Sequence, residues 1–106
     1  MRDEKVELER DLEQWFRKQI VTLGGRSYKF VSPGNAGVPD RIVVWPGGMV
    51  DFVELKTSTG HLGPVQNQQI RRLKALGARV YVVYGRLEAD TYLQNAAMGL
   101  KLWRRS

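Results

Sequence analysis

Residues Gly37–Lys56 read GVPDRIVVWPGGMVDFVELK. Arg41–Trp45 and Met49–Lys56 are rich in β-branched and aromatic residues, and Pro46-Gly47-Gly48 between them supplies a tight turn. The stretch therefore predicts a β-hairpin. Side chains alternate along a strand, so Glu54 and Lys56 leave one face while Val53 and Leu55 leave the other. A carboxylate and an ammonium on one face of an interior strand need a reason, because an unpaired buried charge is costly. An ion pair is one reason. A metal site is another, with Glu54 as ligand and Lys56 beside a reacting phosphate. Asp40 sharpens the choice: the start of one hairpin strand lies beside the end of the next, so Asp40 and Glu54 meet at the same end of the sheet. Two carboxylates that close repel, and a divalent cation relieves the repulsion. Taken alone, Asp40 after Pro39 suits a turn or a cap equally well.

Upstream of the hairpin, residues 4–23 predict a helix. Val6, Leu8, Leu12, Trp15, Phe16, Ile20 and Leu23 form an apolar stripe that Gly24-Gly25 ends. Ser27–Val31 reads as a short strand and Ser32–Pro39 as a loop. Downstream, Thr57–Gly63 is a loop, Pro64 opens a helix to about Leu76, and Gly77 caps it. Arg79–Tyr84 is an apolar strand. Leu87–Met98 predicts a last helix stopped by Gly99, with Leu100–Trp103 as a short edge strand. The core order is α-β-β-β-α-β, an α/β fold with a mixed central sheet flanked by helices. The link from Met49–Lys56 through the helix to Arg79–Tyr84 is long enough for a parallel crossover.

The chain has 106 residues, which suits a single domain over 1–106. It has no cysteine, so disulfides and thiolate metal sites are excluded, and a cytoplasmic setting is compatible. No apolar run approaches the ~20 residues needed to cross a bilayer, and the acidic, amphipathic N-terminus does not read as a signal peptide. The formal net charge is +6, unevenly spread: residues 1–14 hold six acids against three bases, leaving 14 bases and 5 acids over residues 15–106. That balance favours a polyanionic partner, nucleic acid first, although basic surfaces also serve solubility. With hard oxygen donors, no cysteine and one histidine, the site favours Mg²⁺ or Mn²⁺ over zinc.

Pro39-Asp40, thirteen intervening residues, then Glu54-Leu55-Lys56 resembles the PD-(D/E)xK nuclease signature. With GPVQ at 63–66 and KALGARVYVVY at 74–84, the stretch from about Glu9 to Tyr84 resembles the VRR-NUC (virus-type replication-repair nuclease) family in its stand-alone phage or bacterial type. The resemblance implies a restriction-endonuclease-like core and a Mg²⁺-dependent deoxyribonuclease, with Mn²⁺ as a substitute. It implies that Asp40, Glu54 and the Leu55 carbonyl bind metal, that Lys56 orients the attacking water, and that Gln66 joins the site. It also implies an acid from the first helix: Glu9 is the first choice, with Glu13 and Asp11 as alternatives. Lys29, Arg41 and Arg71 are candidate DNA contacts. The family usually carries Ser-Pro-x-Gln where this chain has Gly63-Pro64-Val65-Gln66, which loses a Ser cap and keeps the Gln. Branched DNA such as four-way junctions, a homodimer, and the cytoplasm of a bacterium or phage-infected cell follow from the same resemblance. The competing readings are a non-catalytic DNA-binding module and a nuclease acting on flaps, simple ends or RNA. His61 reads as an exposed loop residue, and Trp15 and Trp45 as packing residues.

Overall fold

The computed structural model describes residues 8–105, the side chains of 103–105 excepted. Its elements run α1 (Glu9–Thr22), β1 (Arg26–Lys29), β2 (Arg41–Val44), β3 (Val50–Lys56), α2 (Pro64–Ala75), β4 (Arg79–Tyr84) and α3 (Gly85–Arg105). The four strands form one sheet in the order β1-β2-β3-β4. β1, β2 and β3 pair antiparallel, and β4 joins β3 parallel through the α2 crossover. This is the mixed α/β sheet that the sequence predicts, in the order αβββαβα, consistent with a restriction-endonuclease-like core.

Strand parity divides the side chains between two faces. On one face Val43, Trp45, Val53, Leu55 and Val83 meet Leu12, Phe16 and Ile20 of α1 and Ala89, Tyr92, Leu93 and Leu100 of α3. The α1 residues are spaced i, i+4, i+8, which keeps them on one side of the helix. The Arg86 guanidinium lies 4.0 Å above the centre of the Trp15 ring and ties α3 to α1. α2 covers the other face, with Ile70 buried. In the β2–β3 turn Gly47 and Gly48 both take positive φ, near +90°, which lets Trp45 N–H reach the Met49 carbonyl at 2.8 Å.

The C-terminal part of the chain departs from expectation. No strand forms at Leu100–Trp103; α3 runs unbroken through Gly99. A glycine inside a helix costs about 1 kcal/mol relative to alanine. Here the apolar stripe Ala89, Tyr92, Leu93, Ala96 continues at helical spacing to Leu100, which is buried, and that burial outweighs the glycine. The expected first helix begins at Glu9 among the described residues; Val6 and the rest of 4–7 lie outside them. No helix of the described residues is long and apolar enough to cross a membrane.

Candidate active site

β2 and β3 pair with Arg41 opposite Val53, so the register carries Asp40 to the level of Glu54. The backbone of Asp40 is held on both sides. Its N–H donates to Glu54 Oε1 at 3.1 Å, and its carbonyl accepts from Phe30 N–H at 2.6 Å. Pro39 before it is fully buried, while the Asp40 side chain is exposed. Glu54 is only 1% exposed. Its second oxygen, Oε2, accepts from Gln66 Nε2 at 3.2 Å and lies 3.4 Å from Lys56 Nζ. The structure thus brings Asp40, Glu54, Lys56 and Gln66 together at one end of the sheet.

Gln66 reaches this point from the first turn of α2. Its Oε1 accepts Gly63 N–H at 2.9 Å, the half of a capping box that a glycine N-cap still permits. That bond orients the amide so that its N–H points at Glu54. The 32–39 loop is seated against the same helix turn. Gly37 has φ +86°, and a Cβ there would fall 2.8 Å from the Val65 backbone, so the close approach requires glycine. Gln69 Nε2 donates to the Ala36 carbonyl at 3.2 Å. The loop that delivers Asp40 and the helix that delivers Gln66 are therefore clamped together. Gln69 was not singled out from sequence; its signal is its place three residues after Gln66, on the same helical face.

Burial pushes the Glu54 pKa above the ordinary carboxylate value, and the nearby Asp40 charge pushes it further; Lys56 pulls it back only in part. A cation between Asp40 and Glu54 would offset the like charge and favour the ionised carboxylate despite its burial. The donors fit a hard divalent ion: two carboxylates and, next on β3, the Leu55 carbonyl, a set of oxygen atoms alone. Among the described residues no group of three or more acids, histidines or cysteines gathers to hold an ion. Glu9 and Asp11 are exposed, and Glu13 is ion-paired with Arg41.

Arg41 is 4% exposed, held by Glu13 and by Ser27 Oγ at 3.0 Å. It alternates with Asp40 and points to the α1 side of the sheet, where its guanidinium is committed to Glu13 and Ser27. Lys29 and Arg71 are exposed, as is His61.

Comparison with known proteins follows the same lines. Residues 6–87 match the VRR-NUC domain family. A protein of Acyrthosiphon pisum secondary endosymbiont phage 1, named "Putative nuclease p44", is 43% identical over 75 residues, covering 71% of this chain and 81% of its own length. A solved VRR-NUC domain superposes with a TM-score of 0.76 at 29% identity, covering 81% of this chain and 94% of that one.

Proposed function

The chain belongs to the VRR-NUC nuclease family, and we propose that it is a metal-dependent DNA endonuclease selective for branched DNA such as four-way junctions, working as a homodimer. The observation that carries the catalytic reading is the buried Glu54 carboxylate, on which the Asp40 N–H, the Gln66 amide and the Lys56 ammonium all converge.

Asp40, Glu54 and the Leu55 carbonyl would hold Mg²⁺, or Mn²⁺ in its place. A bound divalent ion lowers the pKa of a coordinated water and offsets charge on the phosphate. The protein's own groups do the rest. Gln66 fixes the orientation of Glu54 through one carboxylate oxygen while the Asp40 N–H holds the other. Lys56 keeps a cation at the mouth of the site, where it orients the attacking water and balances the negative charge that grows on the phosphate oxygens. Its side chain is 22% exposed, so it reaches solvent and substrate while its stem packs on the sheet.

The net charge of +6 supports a polyanionic substrate. Branched DNA and a dimer are supported by the family resemblance and by size: one small domain has little surface with which to grip a junction, and paired incisions need two sites. The test uses labelled four-way junction, flap, nicked and linear DNA with Mg²⁺, Mn²⁺ or EDTA. Cleavage of the junction that needs the metal and is lost in Asp40→Ala and Lys56→Ala supports the reading. Cleavage that survives either substitution or EDTA overturns the site. Binding without any cleavage leaves a DNA-binding module. Sedimentation at micromolar concentration with and without junction DNA tests the dimer, which a monomer under both conditions would exclude.

A further inference from the structure

Between Gln14 and Pro39 the chain carries four cations, Arg17, Lys18, Arg26 and Lys29, and no Asp or Glu. The fold gathers three of them. The second half of α1 lies along β1, which is an open edge of the sheet, and Gln14, Arg17, Lys18, Val21, Arg26 and Ser27 line a groove of about 490 Å³ between them. All four cations are exposed, and the ion pairs among the described residues involve none of them. Glu13, an acid on the same helix, is turned to Arg41. A run of like charges without counter-charges raises a local positive potential that draws a polyanion.

The groove lies on the α1 side of the sheet and the catalytic carboxylates on the α2 side, and the edge strand β1 runs from one to the other. Arg26 begins the strand at the groove and Lys29 ends it. The next residue, Phe30, donates its N–H to the Asp40 carbonyl at 2.6 Å. Three steps along a strand span about 10 Å, the rise of about three base pairs. The groove lining holds no aromatic ring on which unpaired bases would stack, and guanidinium forks match phosphate oxygens. The expected occupant is therefore a duplex backbone, not a single strand.

We propose that the groove between α1 and β1 grips the phosphate backbone of a duplex DNA arm whose scissile phosphate lies at Asp40 and Glu54. The proposal rests on the nuclease reading above and assigns the groove a positioning role, without sequence readout.

The test measures binding to a duplex and to a single strand of equal length, in EDTA, across a salt titration. The proteins are wild type, Arg17→Gln with Arg26→Gln, Arg17→Glu with Arg26→Glu, and a control with equal charge reversal elsewhere, Lys74→Glu with Lys101→Glu. Circular dichroism verifies the fold of each. For the Gln pair the slope of log affinity against log salt falls by about two, and low-salt duplex affinity falls on the order of tenfold or more. The Glu pair falls further, and the control keeps the wild-type slope. Unchanged affinity and slope in the groove variants overturns the proposal, as does an equal loss in the control, which marks diffuse charge. An equal loss for the single strand overturns the duplex assignment. Cleavage of a junction by wild type in Mg²⁺ is run alongside. Failure there with a groove-dependent slope removes the nuclease reading and leaves the groove; cleavage with an unchanged slope removes the groove and leaves the nuclease.

Discussion

Asp51 and Glu54 sit three residues apart on β3, on opposite faces of the sheet, and each is about 1% exposed. Asp51 is surrounded by donors. It accepts from Trp45 Nε1 at 3.0 Å, from the Tyr92 hydroxyl at 2.5 Å and from Arg79 Nε at 2.6 Å. Burial and the bond to Asp51 push the Tyr92 pKa far up, so the phenol stays a donor. The same carboxylate raises the Arg79 pKa. Glu54 has donors too, but a second carboxylate, Asp40, stands beside it and its pKa is raised. A buried acid saturated with donors holds elements together. A buried acid set against another acid is a local cost, and a bound cation turns that cost into affinity.

The comparison can be broken most forcefully at Asp51. Asp51→Ala leaves the Tyr92 hydroxyl without its acceptor, the Trp45 N–H with only the Tyr92 oxygen at 3.2 Å, and Arg79 without its partner, so unfolding free energy should fall by about 3–5 kcal/mol. Urea titration measures it, and a loss under about 1 kcal/mol would contradict the structural role assigned to Asp51. On the other face, Lys56→Ala should cut the rate of DNA cleavage by about 10²–10³-fold, with DNA still bound. Single-turnover kinetics separate the two steps; a variant that only raises the substrate concentration needed would make Lys56 a binding residue.

Gln66→Ala removes one donor to Glu54 and the cap on Gly63, so cleavage should fall about tenfold, with a stability loss of about 1 kcal/mol. If stability alone moves, Gln66 is only a cap. The smallest effect concerns Asp40→Asn without metal. Removing the like charge should raise the melting temperature in EDTA at neutral pH by a few degrees, on the order of 1 kcal/mol or less, while abolishing the stabilisation that Mg²⁺ gives wild type. Because the Glu54 pKa is raised on folding, the native state holds its proton where the unfolded chain has lost it. Metal-free stability should therefore fall as pH rises from about 4.5 through the raised pKa, and fall less in Asp40→Asn. A thermal melt series across that range checks the sign, and stability that climbs with pH there would refute it once other groups are matched.

Much of this was legible in the residues. Alternation along Met49–Lys56, the Pro46-Gly47-Gly48 turn and the position of Asp40 predict where Asp40, Glu54 and Lys56 meet, because register within a hairpin is a local property. Gln66 was legible through the resemblance. The arginines were not. Arg41 was a candidate DNA contact, yet it is buried against Glu13, a residue 28 positions away on another element. Asp51 drew no attention because two of its donors, Arg79 and Tyr92, lie 28 and 41 residues further on. The end of α3 is hidden from the sequence because Gly99 carries a local stop signal, whereas the burial of Leu100 against the core, which carries the helix past it, is a tertiary effect.

By itself, then, the sequence determined the hairpin, the order of the elements as far as β4 and the end of the sheet where Asp40, Glu54 and Lys56 meet, all set by short-range periodicity and turn chemistry. Only the tertiary structure decided which acid of α1 would be spent on Arg41, that Asp51 would be bound by Trp45, Tyr92 and Arg79, and that the cations of α1 and β1 would flank one groove. Those outcomes depend on how each helix is rotated and placed on the sheet, and the packing of the whole core sets that rotation.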